Sequence, residues 1–156
     1  MSNITVFCDG SCLSNGKIGA SAGIGVSVMR DGSEFHTYSA AVPKTDPQTN
    51  QRAELLALQY AIAYMAEAGL AGTIYTDSKY AIQCLTEWGP TWAKNGWRKS
   101  DKKPVLHVDV IQPMLELWQS VTGIELKHVF GHTGKSDAIS QGNAIADRLA
   151  REAAVL

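Results

Sequence analysis

The first third of the chain alternates apolar residues with other residues, which is the pattern of β-strands. Period-two alternation predicts a first strand at residues 3–8, followed by a loop of turn-forming residues at 9–16. Residues 22–30 and 33–41 are predicted as two further strands, because Asp31-Gly32 between them is a strong hairpin signal. The chain is therefore expected to begin with a three-stranded meander.

After two prolines, at positions 43 and 47, the apolar repeat becomes that of a helix. Large apolar residues recur at steps of three and four over residues 50–68, and Gly69 ends the pattern. The residues that carry this repeat are Leu55, Leu58, Ile62 and Met65.

Short strands and helices alternate through the rest of the chain. Asp77-Ser78 is a predicted helix cap, Gly89-Pro90 a predicted break, and residues 131–142 a predicted loop. The predicted elements are a strand at 72–76, a helix from the cap to about Trp88, a short helix near 91–95, a helix at 108–121, a strand at 123–130 and a final helix at 143–154.

This order, βββαβααβα, predicts an α/β fold in which helices flank a mixed five-stranded sheet. A length of 156 residues suits one domain, which we expect to cover residues 1–156. Hydrophobic residues at 45% and charged residues at 19% are typical of globular proteins. No apolar run approaches the roughly 18 residues of a membrane span, and the start lacks the pattern of a signal peptide. Three cysteines do not suggest a disulfide framework, so we expect a cytoplasmic protein.

The formal net charge is only −1, yet one segment is strongly basic. From Lys94 to Lys103 there are five basic residues and a single acid, Asp101, and tryptophans are interleaved with them. Such a mixture favours contact with a polyanion. The alternative is a solvated basic loop that packs on buried tryptophans, and we expect some of the tryptophans to be structural.

Four acidic residues occupy similar places in the predicted fold. Asp9 and Asp77 directly follow the first and fourth strands, while Glu54 and Asp147 lie in about the first turn of a helix. If the two strands are neighbours, the four side chains meet at one edge of the sheet. Acids that lack a matching Lys or Arg raise one another's pKa, and divalent cations remove that cost. All-oxygen ligands select hard ions, Mg²⁺ first and Mn²⁺ as a substitute.

Each acid also has an ordinary structural explanation. Asp77 before Ser-Lys-Tyr-Ala is a good N-cap residue, and Glu54 and Asp147 can compensate helix dipoles. Asp9 in Asp-Gly-Ser can be a turn residue. These explanations account poorly for the combination of four acids, each with distinctive neighbours.

The motifs around the acids resemble those of the ribonuclease HI family, the type 1 ribonucleases H, including the members that carry a basic protrusion. The resemblance covers almost the whole chain and implies a ribonuclease H-like fold. It implies an endonuclease that hydrolyses the RNA strand of RNA–DNA hybrids without sequence specificity, leaving 5′-phosphate and 3′-hydroxyl ends. The matching motifs are Asp9-Gly10-Ser11-Cys12, Thr49-Asn50-Gln51-Arg52-Ala53-Glu54-Leu55, Thr76-Asp77-Ser78-Lys79-Tyr80, Gly131-His132 and Asn143-Ala144-Ile145-Ala146-Asp147-Arg148-Leu149-Ala150.

The resemblance further implies a two-metal mechanism with Mg²⁺. In it Asp9 bridges two ions, Glu54 and Asp77 help to hold one, and Asp147 holds the other with the attacking water. Ions roughly 4 Å apart would clamp an in-line displacement at phosphorus.

Four histidines are interpreted separately. By the resemblance, His132 in Phe-Gly-His-Thr-Gly assists proton transfer or product departure without binding metal, the alternative being a solvated loop histidine. His128 alternates with apolar residues and is interpreted as a packed strand histidine. No role is assigned to His36 or His107.

The resemblance also implies how a hybrid is bound. Hydrogen-bonding groups recognise 2′-hydroxyls and their absence across the shallow minor groove, and Thr49 lies near a DNA phosphate. The basic protrusion (residues 88–103) grips the substrate backbone with an affinity that falls with salt. We expect a monomer that binds the hybrid and no membrane. The expected substrate-binding residues are Cys12, Asn15, Thr49, Asn50, Gln51, Trp88, Trp92, Lys94, Trp97, Arg98, Lys99, Lys102 and Lys103.

Two features depart from the family pattern. Family members often carry a basic residue two positions before the threonine, where this chain has Pro47, so the phosphate pocket is in doubt unless Lys44 substitutes. The loop from His132 to Asp147 also looks several residues longer than usual, which could alter metal affinity or turnover.

Rival functions fit the sequence less well. Gly134-Lys135-Ser136 resembles the tail of a P-loop, but Val129 stands where that motif needs glycine. Cys8 and Cys12 lack the second Cys or His pair of a zinc site. A non-catalytic binding module would be expected to have lost one of the four acids. Junction resolvases, transposases and exonucleases would not be expected to share Thr-Asn-Gln-Arg-Ala-Glu, while a retroviral-type origin stays open.

Overall fold

A computed structural model describes residues 3–131 and 137–155 of the chain. The strands are β1 (Ile4–Leu13), β2 (Ser21–Arg30), β3 (Ser33–Ala41), β4 (Gly72–Thr76) and β5 (Ile124–His128). The helices are α1 (Asn50–Ala68), α2 (Lys79–Gln83), α3 (Gly89–Lys94), α4 (Val108–Ser120) and α5 (Ala138–Ala154), with a π-helical turn at Cys84–Trp88 between α2 and α3.

The strands form one mixed five-stranded sheet in the order β3-β2-β1-β4-β5, which confirms the predicted fold class. β1 pairs antiparallel with β2 and parallel with β4. Both residues of the predicted hairpin turn have positive φ, 52° at Asp31 and 82° at Gly32, as a type I′ turn requires. The first and fourth strands are therefore neighbours, as the expected meeting of the four acids requires.

Helices α1 and α5 cover opposite faces of the sheet. A Cβ on Gly10 of β1 would collide with the α1 backbone at Ala53 and Glu54, and one on Gly25 of β2 would collide with the α5 backbone at Ala146. Gly25 pairs with Asp9, the residue next to Gly10, so Asp9 belongs to the face that α5 covers. The main apolar core contains buried side chains of α1, α4 and the sheet, including Val6, Val26, Leu58, Ile62, Ile74, Ile111 and Met114.

Several predicted boundaries were wrong. β1 continues through the predicted loop to Leu13, because it keeps pairing with β2 after its pairing with β4 ends. β5 ends at His128, which leaves Phe130 outside the strand and 69% exposed. α5 begins at Ala138, where Asp137 caps it by accepting from the Ser140 amide, so much of the predicted loop is helix.

The predicted break at Gly89-Pro90 is also wrong. Gly89 has helical φ and ψ of −56° and −49°, and its N–H bonds the Cys84 carbonyl across the π-helical turn. A Cβ on Gly89 would collide with that carbonyl oxygen. Here glycine permits the wider turn, and the proline that follows occupies the start of α3, where a missing N–H is tolerated.

Within the described ranges, none of the helices combines the length and the apolar character needed to cross a bilayer.

Candidate active site

Asp9 lies at the place where the two central parallel strands separate. The pairing of β1 with β4 ends at Phe7 and Tyr75, and Asp9 and Asp77 each come two residues later. Asp9 lies inside β1, so the prediction that it directly follows the strand was wrong, and the alternative of a turn residue does not apply. It is 5% exposed, and its own Oδ1 accepts from the Gly10 amide at 2.9 Å.

Three of the four acids meet directly. The Asp9 carboxyl hydrogen-bonds with the carboxyls of both Asp77 and Asp147. Burial and the two neighbouring negative charges raise the pKa of Asp9 to about 9. This environment therefore favours the protonated form of Asp9.

Glu54 reaches the same place from α1. It is the fifth residue of that helix, just past the first turn, and its Oε2 accepts from the Ser78 hydroxyl at 2.6 Å. Ser78 also caps α2, because its Oγ accepts from the Ala81 amide at 3.0 Å. Burial raises the pKa of Glu54, the Ser78 hydrogen bond opposes this, and the charge of Asp77 adds to the rise.

Asp147 lies in the third turn of α5, because the helix begins nine residues earlier at Ala138. The expectation that it sits near a helix start was wrong, and dipole compensation cannot explain it. Its side chain is 14% exposed and pairs with Arg151 one turn later, with Nε 2.9 Å from Oδ2. Arg151 follows directly after the motif of residues 143–150, outside the motifs in which no matching cation was expected, and its side chain is 60% exposed.

The donor set fits a hard divalent cation. All four acids offer oxygen atoms, and no described Lys or Arg forms an ion pair with Asp9, Glu54 or Asp77. In the part of the chain that the structure describes, no group of three His, Cys, Asp or Glu side chains is already spaced to hold an ion.

The histidines differ in how they relate to this cluster. His132 lies outside the described residues. His128 is half-buried in β5, as expected of a packed strand histidine, and its Nε2 lies 3.2 Å from the Asp77 carbonyl oxygen. His36 was left without a role, but its Nε2 lies 2.8 Å from the Tyr60 hydroxyl and its ring stacks on Tyr64.

The expected hybrid-reading residues gather around the start of α1. Thr49 is its N-cap and accepts from the Arg52 amide at 3.1 Å, so its hydroxyl already has a structural task. The Asn15 side chain accepts from the Asn50 amide at 3.0 Å, which ties the loop after β1 to the helix. Gln51 is exposed.

Cys12 and Lys44 lie beside these residues. The Cys12 thiol is half-buried and donates to the Gln48 carbonyl at 3.3 Å. Lys44 Nζ donates to the Ser21 hydroxyl at 2.9 Å, and Ser21 pairs with Leu13 in the sheet. Lys44, which could substitute for the basic residue that Pro47 replaces, therefore lies near the end of β1.

The basic protrusion folds as a short ribbon on a tryptophan base. The Val105 amide donates to the Trp97 carbonyl at 3.1 Å and the Lys99 amide to the Lys103 carbonyl at 2.9 Å. Trp92 and Trp97 are half-buried against the core, which confirms that some of the tryptophans are structural. All five cations are exposed. A cleft of about 520 Å³ separates the protrusion from α1 and is lined by Gln51, Tyr80, Trp88, Trp92, Arg98 and Lys99 among others.

Sequence reasoning missed a second charged group beside the site. Arg52, inside the Thr-Asn-Gln-Arg-Ala-Glu motif, is 5% exposed and bonds both Asp46 and Asp109, with His107 against its guanidinium. The signal that could have found it is an arginine on the buried side of a helix whose repeat is otherwise apolar.

Three comparisons agree with this geometry. The family model described as RNase H matches residues 1–155. The chain is 38% identical to Ribonuclease H1 of Rattus norvegicus over 153 residues, which is 97% of this chain and 50% of that protein. It is 35% identical to Ribonuclease H of Aliivibrio salmonicida over 160 residues, covering 99% of this chain and 89% of that protein.

The fold is also that of a solved viral structure. The foamy viral protease-reverse transcriptase, in complex with an RNA/DNA hybrid, superposes with a TM-score of 0.82 at 23% identity, covering 97% of this chain and 20% of that one. The chain spans about half the length of the first curated relatives that it matches.

Proposed function

This chain belongs to the ribonuclease H family, and from that premise we propose that it is an endonuclease that hydrolyses the RNA strand of RNA–DNA hybrids. The observation that carries the proposal is the meeting of Asp77 and Asp147 with the buried Asp9, where burial and the neighbouring negative charges raise the pKa of Asp9. Such a group is costly to the fold and is useful to a nuclease that binds divalent metal ions.

The four acids would hold the metal ions, which we propose to be two Mg²⁺ ions with Mn²⁺ as a possible substitute. Asp9 would contact both ions, and the support for this is that Asp77 and Asp147 both interact with its carboxyl. Asp77 and Glu54 would complete one position and Asp147 the other. When bound, the ions activate a water molecule and stabilise the leaving oxygen, giving 5′-phosphate and 3′-hydroxyl ends.

Residues around the acids would orient them. Ser78 holds Glu54 through its hydroxyl, and His128 lies against the Asp77 backbone. Gly131 keeps the space beside Asp77 open, because a Cβ there would lie 2.5 Å from Oδ2 of Asp77. We assign proton transfer or product departure to His132.

The substrate would lie across the start of α1 and the protrusion. Asn15, Asn50 and Gln51 would read the hybrid in its minor groove, without sequence specificity. Cys12 would line the same loop, while Thr49 and Lys44 would meet a DNA phosphate. The exposed cations of the protrusion and the tryptophans at its base would bind the backbone of the hybrid across the cleft.

The cellular setting belongs to the proposal as well. We propose a monomer in the cytoplasm, whose single catalytic domain covers residues 1–156, with its three free cysteines in a reducing compartment.

The test presents one labelled RNA strand alone, in an RNA duplex, and paired with DNA. Each is incubated with the protein and Mg²⁺, and then with EDTA. We expect cleavage of the hybrid alone, stopped by EDTA and giving 5′-phosphate ends. A hybrid that is bound but not cut, with Mn²⁺ unable to restore cleavage, would make the chain a binding module.

A further inference from the structure

All three nitrogen atoms of the Arg52 guanidinium donate hydrogen bonds. Its Nη1 and Nη2 donate to the two carboxylate oxygens of Asp109 at 2.8 and 2.6 Å. Its Nη2 and Nε donate to Oδ2 of Asp46 at 3.0 and 3.3 Å. The Arg52 side chain is 7% exposed, whereas those of Asp46 and Asp109 are 25% and 65% exposed, so this planar fork reaches from the interior to two carboxylates nearer the surface.

The two acids come from separate parts of the chain. Asp46 lies in the loop between β3 and α1, and Asp109 is the second residue of α4, which follows the basic protrusion. Arg52 is the third residue of α1, one position after Gln51 and two before Glu54. The fork therefore links the catalytic helix to the segment that carries the protrusion.

His107 closes this link at some cost to the fold. It is a non-glycine residue with φ of 61°, it precedes α4, and its carbonyl accepts from the first amides of that helix. Its Nδ1 lies 3.4 Å from Nη1 of Arg52. His107 is 6% exposed, and its Nε2 has no hydrogen-bond partner among residues 3–131 and 137–155. Backbone strain and an unpaired buried nitrogen thus occur together at the junction.

We propose that Arg52, Asp46, Asp109 and His107 form a positioning network that sets the basic protrusion relative to the four catalytic acids. The network adjoins the substrate cleft through its chain neighbours, since Gln51 and Leu106, which line the cleft, directly precede Arg52 and His107. The network thereby sets the distance and direction from the cations of the protrusion to the acids. None of its four residues lines the cleft, and its role rests on the proposed function.

The test compares two neutralised acids on the same helix. Asp109→Asn weakens the network, and Glu116→Gln removes the same charge from an exposed position that lies outside it. Each variant is combined with Lys99→Ala. This substitution keeps the hydrogen bond from the residue 99 amide to the Lys103 carbonyl, because that bond involves only the backbone. KM and kcat are measured on one hybrid at fixed salt, with thermal unfolding to verify folding. Arg52→Lys is the second variant, since it keeps the charge but not the fork.

We expect Lys99→Ala to raise KM about fivefold in the wild-type and Glu116→Gln backgrounds, as the loss of one phosphate contact does. In the Asp109→Asn and Arg52→Lys backgrounds the factor should fall below about twofold, with kcat changed less than KM. An equal factor in all backgrounds would overturn the proposal, because the network would then serve stability alone.

Hydrogen exchange separates this proposal from the proposed function. In Asp109→Asn, but not in Glu116→Gln, the Val105 amide should exchange about tenfold faster, because the ribbon is no longer anchored. This measurement needs no substrate, so it decides the anchoring even if the wild-type protein cuts no hybrid. Unchanged exchange at Val105 would overturn the anchoring and, with it, the positioning role.

Discussion

The acids beside the start of α1 fall into two groups that differ in what balances their charge. Asp46 and Asp109 flank one buried arginine, and its guanidinium holds the pKa of Asp109 below the usual range. Asp9 has only other acids and a backbone amide for partners, and its pKa rises to about 9.

The difference teaches how to tell a structural acid from a functional one. In the first group the chain supplies its own cation, so the bonds hold elements together at all times. In the second group Asp147 pairs with Arg151, but no described Lys or Arg pairs with Asp9, so its balance must come from protons or from ions in solution. Only the second group can change its state when a metal ion binds. The two groups nevertheless lie close to each other, since Arg52 beside the first and Glu54 beside the second are two residues apart in α1.

The substitution Asp9→Asn is the strongest test of the difference between the two groups of acids. We expect kcat on the hybrid to fall by on the order of 10³-fold or more, since the acid between the other two is lost. Without divalent ions the same variant should be more stable than wild type by about 1 to 3 kcal/mol, because a repelled buried carboxyl is gone. Urea unfolding in EDTA measures the second effect, and Glu116→Gln is the control. Lower stability of Asp9→Asn would contradict the assignment.

The two arginines test the same contrast from the side of the cations. Arg52→Ala should lower the free energy of unfolding by about 2 to 3 kcal/mol, since it removes a large buried side chain, leaves a cavity and takes the partner from Asp46, whose side chain is 25% exposed. Arg151→Ala removes an exposed pair one turn from Asp147 and should cost about 0.5 kcal/mol or less. Denaturant unfolding of both variants gives the comparison, and equal losses would contradict it.

Much of the fold could be predicted from the sequence, because hydrophobic periodicity and turn residues are local signals. They gave the ends of β3, α1 and β4, and they placed Asp77 after β4 and Asp9 on the neighbouring first strand, although β1 continues beyond Asp9. The length of β1 was missed because it depends on pairing with β2, which single-strand alternation does not report.

Other misses have equally particular causes. The start of α5 was missed because its cap, Asp137, stands among Gly and Ser residues typical of loops. The π-helical turn was missed because Gly89-Pro90 is a usual break, and its role depends on the Cys84 carbonyl five residues earlier. Arg52 was missed because its two partners are far away in the sequence.

The two groups should respond to pH in opposite directions when divalent ions are removed. The raised pKa of Asp9 gives stability that is complete below its ordinary pKa of 3.8 and is lost as pH rises toward about 9. The lowered pKa of Asp109 gives stability that is present above 3.8 and is lost as pH falls through its folded value. In EDTA, Asp9→Asn should abolish the alkaline loss of stability and Asp109→Asn should reduce the acid loss. If Asp9→Asn still loses stability as the pH rises, the raised pKa of Asp9 is contradicted.

The smallest expected effect concerns Ser78, which serves both the site and the fold. Ser78→Ala should cost about 1 kcal/mol of stability through the lost cap. It should also raise the pKa of Glu54 further, because the hydrogen bond that opposes the rise is gone. We therefore expect kcat to fall a few-fold more at pH 6 than at pH 8, whereas Ser78→Thr, which keeps a hydroxyl, should keep the wild-type pH profile. A pH-independent loss in Ser78→Ala would limit Ser78 to capping.

Mg²⁺ is expected to supply the positive charge that balances the group of acids around Asp9. The most direct measurement is the thermal unfolding midpoint of wild type and Asp9→Asn at pH 8 as Mg²⁺ is raised. We predict that the wild-type midpoint rises with the Mg²⁺ concentration, and that the free energy of unfolding increases by about 1.4 kcal/mol at ten times the dissociation constant. The midpoint of Asp9→Asn should stay constant. Parallel curves for the two proteins would contradict the account, because the ion would then bind elsewhere.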